Sequence, residues 1–231
     1  MGAIVKSFLE KLARRADWVS LGGSLAAWIG LWGAWIPHPT AALAHNAIDL
    51  AEWAGFLSDV RFGSLHGMPD VLRMGIAAAS VALALSAGAL EKPLSRWSVR
   101  LLALIIVIVL LPPYPQVFDL WRSEGYGTRF LVAAGAFIGL VVSGGVDFAP
   151  VGVRRIGIAL ASVMGIWQAL RAYLAFRPPF AAHYAYPVPH PIPPGWGVLL
   201  FVGGLVVACA SALYALVSAR LQAAPVIACD L

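Results

Sequence analysis

The sequence predicts an all-α fold, a polytopic bundle of six transmembrane helices. Three observations support this fold. The chain of 231 residues is 61% hydrophobic and 12% charged, whereas soluble domains carry roughly 25% charged residues. Six apolar runs approach the roughly 20 residues that cross a bilayer as a helix, and in lipid such runs satisfy their backbone hydrogen bonds only as helices. The positive charges between the runs fall on alternating sides.

The chain begins with an amphipathic segment at residues 3–16. Its apolar residues recur at helical spacing, with basic residues around the rest of the wheel, so we expect an interfacial helix on the cytoplasmic membrane surface. A competing interpretation is the charged region of a signal peptide, with an A-x-A cleavage site at Ala42-Leu43-Ala44. The following apolar run is long for a signal sequence, which favours the interfacial helix.

The six spans follow in order and belong to one integral membrane domain, residues 1–231. Proline ends a helix because it lacks an N–H and restricts the preceding residue. Pro37, Pro112 and Pro178 therefore predict the ends of the three helices that run outward. We place the spans at residues 18–36, 71–90, 94–111, 129–146, 156–176 and 196–217.

The loops predict the orientation. Ten Lys and Arg residues fall on the side of the N-terminus and six on the other side. The positive-inside rule therefore places both termini in the cytoplasm, in a membrane of the bacterial inner-membrane type. The outer loops are residues 37–70 and 177–195, and residues 218–231 form a cytoplasmic tail. Within the first outer loop, residues 40–60 predict a surface helix, and the proline-rich second loop predicts an extended, polyproline-like segment.

Polar residues of the surface helix could bind a metal ion. His45, Asp49 and Glu52 stand at positions i, i+4 and i+7, on one helix face, and present an imidazole and two carboxylates. The alternative is that they are ordinary polar residues on the wet side of an amphipathic helix. All five histidines fall in predicted outer loops, so we do not expect a haem held by two histidines within the membrane.

Small residues recur at every fourth position in several spans and predict close helix packing. Packing within the bundle is favoured over a dimer or partner interface, because alanine-rich helices produce such stripes often. These residues are Gly135, Gly139 and Ser143 in the fourth span; Gly157, Ala161, Gly165 and Ala169 in the fifth; Ala26, Gly30 and Ala34 in the first; and Gly204, Ala208 and Ala212 in the sixth.

Arg171 is a charged residue within the predicted fifth span. Its long side chain could extend to the headgroup region beside Arg177. The sharper interpretation is that Arg171 binds an anionic group, such as a lipid phosphate.

No span contains Asp or Glu, which proton- or sodium-coupled transport normally requires, and no span contains a catalytic arrangement. We therefore expect a non-catalytic integral subunit or accessory protein of a larger membrane assembly or transporter. One alternative is a small solute carrier or channel acting as a homo-oligomer, and another is an enzyme with an outer-face metal site. Membrane lipids and other membrane subunits are the expected partners. Nucleic acid is not, because the basic residues flank spans instead of forming one face.

Overall fold

The computed structural model describes residues 2–38, 44–112, 126–183 and 192–223. These residues are helical apart from short connections and an isolated bridge between Ile36 and His45, which confirms the predicted all-α class. Short 3-10 turns extend α2, α4 and α6. The α-helices are α1 Gly2–Trp32, α2 Ala47–Trp53, α3 Ser58–Arg61, α4 Met68–Ser86, α5 Pro93–Leu110, α6 Tyr126–Gly145, α7 Val151–His183 and α8 Trp196–Ala223.

Five of the described helices, α4 to α8, are long and apolar enough to cross a membrane. The remaining predicted span, residues 18–36, falls in α1, which is not among these five. One reason is that α1 ends at Trp32. A second is that Gly, Ser and Trp, which have low hydropathy, occupy much of its apolar half. The described helices therefore establish an all-helical multi-pass architecture, with five apolar helices.

Three helices are longer than the sequence predicts. Helix α8 was predicted to end at residue 217, and this prediction is wrong, because the helix continues to Ala223 through the first residues of the predicted tail. Helix α1 continues from Gly2 to Trp32 without a break between the expected interfacial segment and the expected span. Helix α7 was predicted to end at residue 176, and this prediction is wrong, because the helix passes through Pro178 and Pro179 and ends at His183. Phe176 and Phe180 flank the prolines and are buried against each other, with ring centroids 6.4 Å apart. This burial offsets the backbone hydrogen bonds that the prolines cannot make.

The predicted proline-rich loop, residues 177–195, is therefore partly helical. Its residues 184–191, the candidate cleavage site at residues 42–43 and the tail beyond residue 223 lie outside the described residues. The predicted surface helix is also interrupted. It consists of α2, a 3-10 turn at Ala54–Phe56 and the short helix α3.

Helix α4 lies at the centre of the bundle. In its apolar window 72% of the residues are buried, whereas in α6 only 22% are. Helices α1, α5, α6 and α7 all contact α4. These four helices therefore share one central partner, and α8 packs against α1 and α7. The outer helices leave wide apolar faces on the outside, as lipid-facing helices do.

Helices α1 and α8 run antiparallel, with their backbones in direct contact. A Cβ added to Gly30 would lie 2.5 Å from the Phe201 amide nitrogen, and one added to Gly204 would lie 2.5 Å from the Gly23 carbonyl oxygen. Any side chain at these positions would push the helices apart. Glycine allows the close approach from which dispersion contacts stabilise helix pairs in membranes.

The packing residues predicted in α6 and α7 differ in their surroundings. A Cβ added to Gly139 would lie 2.7 Å from a Val81 methyl, and one added to Gly157 or Gly165 would lie 2.9 Å from a leucine methyl of a neighbouring helix. Gly135, in contrast, has open space around it. Ser143 and Ala169 are buried, and Ala161 is half-buried against the core.

Candidate functional site

Buried arginines and their carboxylate partners lie at the two ends of the helix bundle. We call one end the Glu52 end, where Glu52 meets arginines of α4 and α6. We call the other the Asp17 end, where Asp17 meets arginines of α7. Charges removed from water must be paired and hydrogen-bonded, and in these clusters the arginines and carboxylates are each other's partners.

At the Glu52 end, one carboxylate binds two arginines. Arg129 Nη1 donates to Glu52 Oε2 at 2.9 Å, and Nη2 lies 2.8 Å from Oε1, so the two groups meet as fork against fork. Arg73 Nη2 donates to the same Oε1 at 3.3 Å, and Arg73 Nη1 donates to Asp70 at 2.8 Å. Glu52 therefore connects α2, α4 and α6.

Local structure holds these side chains in place. Asn46 caps α2 by accepting from the amides of Ile48 and Asp49, each at 2.9 Å. Ala47 and Leu50 of α2 are fully buried, which leaves Glu52 facing the arginines. Arg129, in the first turn of α6, also donates from Nε to the carbonyl of Leu110 at 3.0 Å and so satisfies the last turn of α5.

A recess of about 510 Å³ opens beside this cluster. Three arginines line it, Arg61, Arg73 and Arg129, together with the two carboxylates Glu52 and Asp70. The charged lining therefore carries one positive charge more than it carries negative charges. Phe56, Val60, His66, Pro69 and Tyr126 also line the recess.

At the Asp17 end, one carboxylate again meets two arginines. Arg155 donates to Asp17 Oδ1 at 3.0 Å and to Oδ2 at 2.9 Å, and also to the carbonyl of Ala215 at 3.0 Å. Arg154 donates to Asp17 Oδ2 at 3.5 Å and to the carbonyl of Gly88 at 2.8 Å. This cluster connects α1, α7 and α8 with the turn that follows α4.

A second ion pair at the same end joins α5 to α6. Arg100 Nη2 donates to Asp147 Oδ2 at 2.7 Å and to the carbonyl of Ser143 at 3.0 Å. Arg96 Nη1 lies 3.7 Å from the same Asp147 oxygen. The charge pattern of the sequence places the arginines of this end on the same side of the membrane as the N-terminus.

The predicted metal-binding residues do not come together as a metal site. Within the described ranges, no three His, Cys, Asp or Glu side chains form a group that could hold a metal ion. Both oxygens of Glu52 accept from arginines. His45 is buried, and its ring lies 5.3 Å from that of Phe180 and 5.9 Å from that of Trp53. Glu52 is therefore engaged with arginines, and His45 packs against aromatic rings.

The environment of His45 favours its neutral form. Burial lowers the pKa of His45 below its ordinary value of 6.5. The Asp49 carboxylate raises the pKa by a smaller amount, and His38 lowers it further. His45 lies between α1 and α2, outside the membrane-spanning helices.

Arg171, the predicted anion or lipid contact, is exposed on α7. It is not one of the residues that line the recess. Its interaction with a lipid phosphate therefore remains a prediction, separate from the cluster around Glu52.

Sequence reasoning missed both arginine clusters. It treated Arg73, Arg129, Arg154 and Arg155 as markers of orientation, although Arg154 is largely buried, the other three are buried, and each meets a carboxylate. A signal was present, because Arg73 and Arg129 lie inside long apolar helices, where a charge needs a partner. The identity of that partner depends on helix packing, which the spacing along one helix does not reveal.

Comparisons with protein-family models, with curated proteins and with solved structures found no match to this chain. The class of this protein is therefore inferred from its own residues. The described part of the chain is an all-helical bundle of the multi-pass membrane type, with arginine-carboxylate clusters at both ends.

Proposed function

We propose that this chain is a non-catalytic integral subunit or accessory protein of a larger membrane assembly, in a membrane of the bacterial inner-membrane type. The observation that supports this proposal is the fastening of the helices at both ends of the bundle. Carriers work by rocking one set of helices against another, or by rearranging broken helices. A bundle fastened at both ends is better suited to a scaffold.

The fastening involves the same helices at the two ends. Asp17 joins α1 to α7 at one end, and at the other end the amide of Gly195 donates to the carbonyl of Trp35 at 3.1 Å, where α8 meets the segment after α1. Arg177 of α7 donates to the carbonyl of Ile192 beside the start of α8. Separating buried ion pairs costs about 3–5 kcal/mol each when one partner is left unpaired. Rocking of α1 and α8 against α7 would therefore break an ion pair at one end and hydrogen bonds at the other.

We further propose that α1 is the sixth span. The support for this is its pairing with α8, because Ser20 of α1 donates to the carbonyl of Ala208, and Gly30 meets Gly197. Residues 17–32 of α1 thus lie alongside α8. The Asp17 end then faces the cytoplasm, where the excess of Lys and Arg predicts it, and both termini lie on that side.

The outward face of α6 is the surface we assign to lipid and to other subunits. Leu131, Ile138 and Val141 are exposed on it, and Gly135 has open space around it. A small residue among exposed apolar residues allows a partner helix to approach closely.

Purification of the tagged protein from its native membrane tests the assembly role. We expect native mass spectrometry to show other subunits at fixed stoichiometry. Gly135→Leu should release these subunits. The unfolding temperature of the protein should not change, because the space around Gly135 is open. Gly22→Leu, at an equally open position on α1, is the matched control. A homo-oligomer that moves solute into liposomes without other subunits would instead establish the carrier alternative.

Cysteine labelling tests the six-span topology. Ser58→Cys, Glu91→Cys and Lys11→Cys, introduced singly after Cys209 and Cys229 are replaced, place thiols at three exposed sites. We expect a membrane-impermeant maleimide to label Ser58→Cys in intact cells and the other two only after lysis. Labelling of Lys11→Cys and Glu91→Cys from opposite sides would show that α1 does not span the membrane.

A further inference from the structure

We propose that the recess at the Glu52 end binds the phosphate group of an anionic ligand, either a phospholipid headgroup or a water-soluble phosphate ester. This site does not depend on the assembly role proposed above. It requires only the recess and the three arginines that line it.

The charge of the recess favours an anion. Its lining contains Arg61, Arg73 and Arg129 but only two carboxylates, Glu52 and Asp70. The carboxylates are engaged with Arg73 and Arg129. Arg61 forms no ion pair with any acid of the described chain, and its guanidinium lies 5.5 Å from the centre of the Phe62 ring. A bound phosphate would supply the missing negative charge.

The buried arginines retain hydrogen-bond donors. A guanidinium has five N–H groups in a planar fork that matches the oxygens of a phosphate. Arg129 uses one hydrogen on each of its three nitrogens, for Glu52 and for the carbonyl of Leu110. One hydrogen remains on each terminal nitrogen. The Arg73 and Arg129 side chains are only 10% and 8% exposed, so an attraction to phosphate is screened less than at an open surface.

The size and apolar lining of the recess indicate an ester instead of free phosphate. Its volume of about 510 Å³ lies in the range of ligand pockets, roughly 300–1,000 Å³, and exceeds what one phosphate group fills. Phe56, which is 72% exposed, lies beside Val60 and Pro69 on the lining. The organic part of a phosphate ester, such as glycerol, would cover these apolar groups.

Glu52 has a particular role in this arrangement. With no ligand bound, its carboxylate compensates Arg73 and Arg129, and it competes with a ligand phosphate for their donors. Removal of its charge should therefore strengthen anion binding. A purely structural ion pair predicts no such gain.

The test uses the full chain in nanodiscs of phosphatidylcholine, with two probes. Isothermal titration with glycerol 3-phosphate measures binding of a soluble ester. Native mass spectrometry after reconstitution with phosphatidylglycerol measures retention of an anionic lipid. Binding in the first arm identifies a soluble ligand, and retention only in the second identifies a lipid headgroup. If neither probe binds to the unaltered protein, the proposal is overturned.

Three variants distinguish anion binding in the recess from a general effect of surface charge. Because charge-assisted bonds to phosphate are strong, we expect Arg61→Gln to weaken binding about tenfold and Glu52→Gln to strengthen it about threefold. Arg220→Gln, which removes the same charge from an exposed site away from the recess, should leave binding unchanged. Equal weakening by Arg61→Gln and Arg220→Gln would contradict the proposal. So would a folded Glu52→Gln protein with unaltered affinity. Arg61 is exposed and pairs with no acid among the described residues. Its variant should therefore fold, and it still tests the proposal if Glu52→Gln does not fold.

Discussion

Asp17 and Arg155 form a two-pronged ion pair that fastens α1 to α7. Arg155 Nε donates to Oδ1 at 3.0 Å and Nη2 donates to Oδ2 at 2.9 Å. The two side chains are 13% and 8% exposed, so the pair is largely shielded from water. Arg154 meets the same carboxylate at 3.5 Å. A single Asp17 carboxylate is therefore the shared counter-ion of two neighbouring arginines of α7.

Replacement of Asp17 by Asn should destabilise the bundle strongly. Arg155 would lose its counter-ion while remaining buried, and Arg154 would lose it while largely shielded from water. The expected loss is about 3 kcal/mol in the free energy of unfolding. Denaturant titration of the protein in detergent micelles measures this loss. Asp59→Asn, the same change at an exposed position, serves as the control. Equal stability of the two variants would show that the Asp17 pair contributes little.

Replacement of Gly30 by Ala should separate α1 from α8. The added Cβ would lie 2.5 Å from the Phe201 amide nitrogen and 2.7 Å from the Gly197 carbonyl oxygen, and backbone atoms cannot move away independently. We expect a loss of about 2 kcal/mol in the free energy of unfolding, the scale of an overpacked core. Gly22→Ala adds the same methyl group where nothing lies within 4 Å.

The Gly22 variant should be neutral or slightly more stable, because Ala favours helix by up to about 1 kcal/mol relative to Gly. Thermal unfolding of both variants under one condition makes the comparison. If Gly30→Ala were as stable as Gly22→Ala, the close backbone contact between α1 and α8 would be refuted.

Arg100 and Asp147 should show coupled contributions to stability. Their side chains are 7% and 15% exposed and their charged atoms lie 2.7 Å apart. In a double-mutant cycle of Arg100→Gln and Asp147→Asn, we expect a coupling energy of about 1–2 kcal/mol. A cycle of Arg100→Gln with Asp70→Asn, at the opposite end of the bundle, should be additive to within about 0.5 kcal/mol. Additivity in both cycles would argue against the ion pair.

His45 should make stability depend on pH. Because burial lowers the pKa of His45 below 6.5, the unfolded chain binds the proton more tightly than the folded chain does. Stability should therefore be highest above pH 6.5, decline as the pH falls through 6.5, and level off below the folded pKa. Unfolding temperatures measured across this range test the expectation. His45→Gln should reduce the decline, and an unchanged profile would assign it to another group.

Helix class and helix ends were predictable from the sequence to different degrees. Apolar length indicated α4, α5 and α6 with ends close to those observed, and the start of α8, because a long apolar run has a single stable form in lipid. The end of α7 was missed because the preference of Pro178 and Pro179 against helix is weaker than the burial of Phe176 and Phe180 around them. Local preference indicates where a helix tends to end, and tertiary packing can extend it.

The candidate site was less predictable than the helices. Spacing along the predicted surface helix at residues 40–60 grouped Glu52 with His45 and Asp49, since all three would share one face of such a helix. In the structure Glu52 instead meets Arg73, 21 residues away, and Arg129, 77 residues away. Residues on neighbouring helices provided the stronger electrostatic partners.

The sequence by itself determined that this chain is a helical membrane protein with arginines near its helix ends. Hydrophobic length and charge distribution are local properties, and the bilayer selects helices from them without reference to neighbours. Only the tertiary structure decided that α4 lies at the centre and that one carboxylate at each end serves two arginines. Those pairings depend on which helices are neighbours. The glycines of α1 and α8 show that close packing of one backbone against another determines which helices are neighbours.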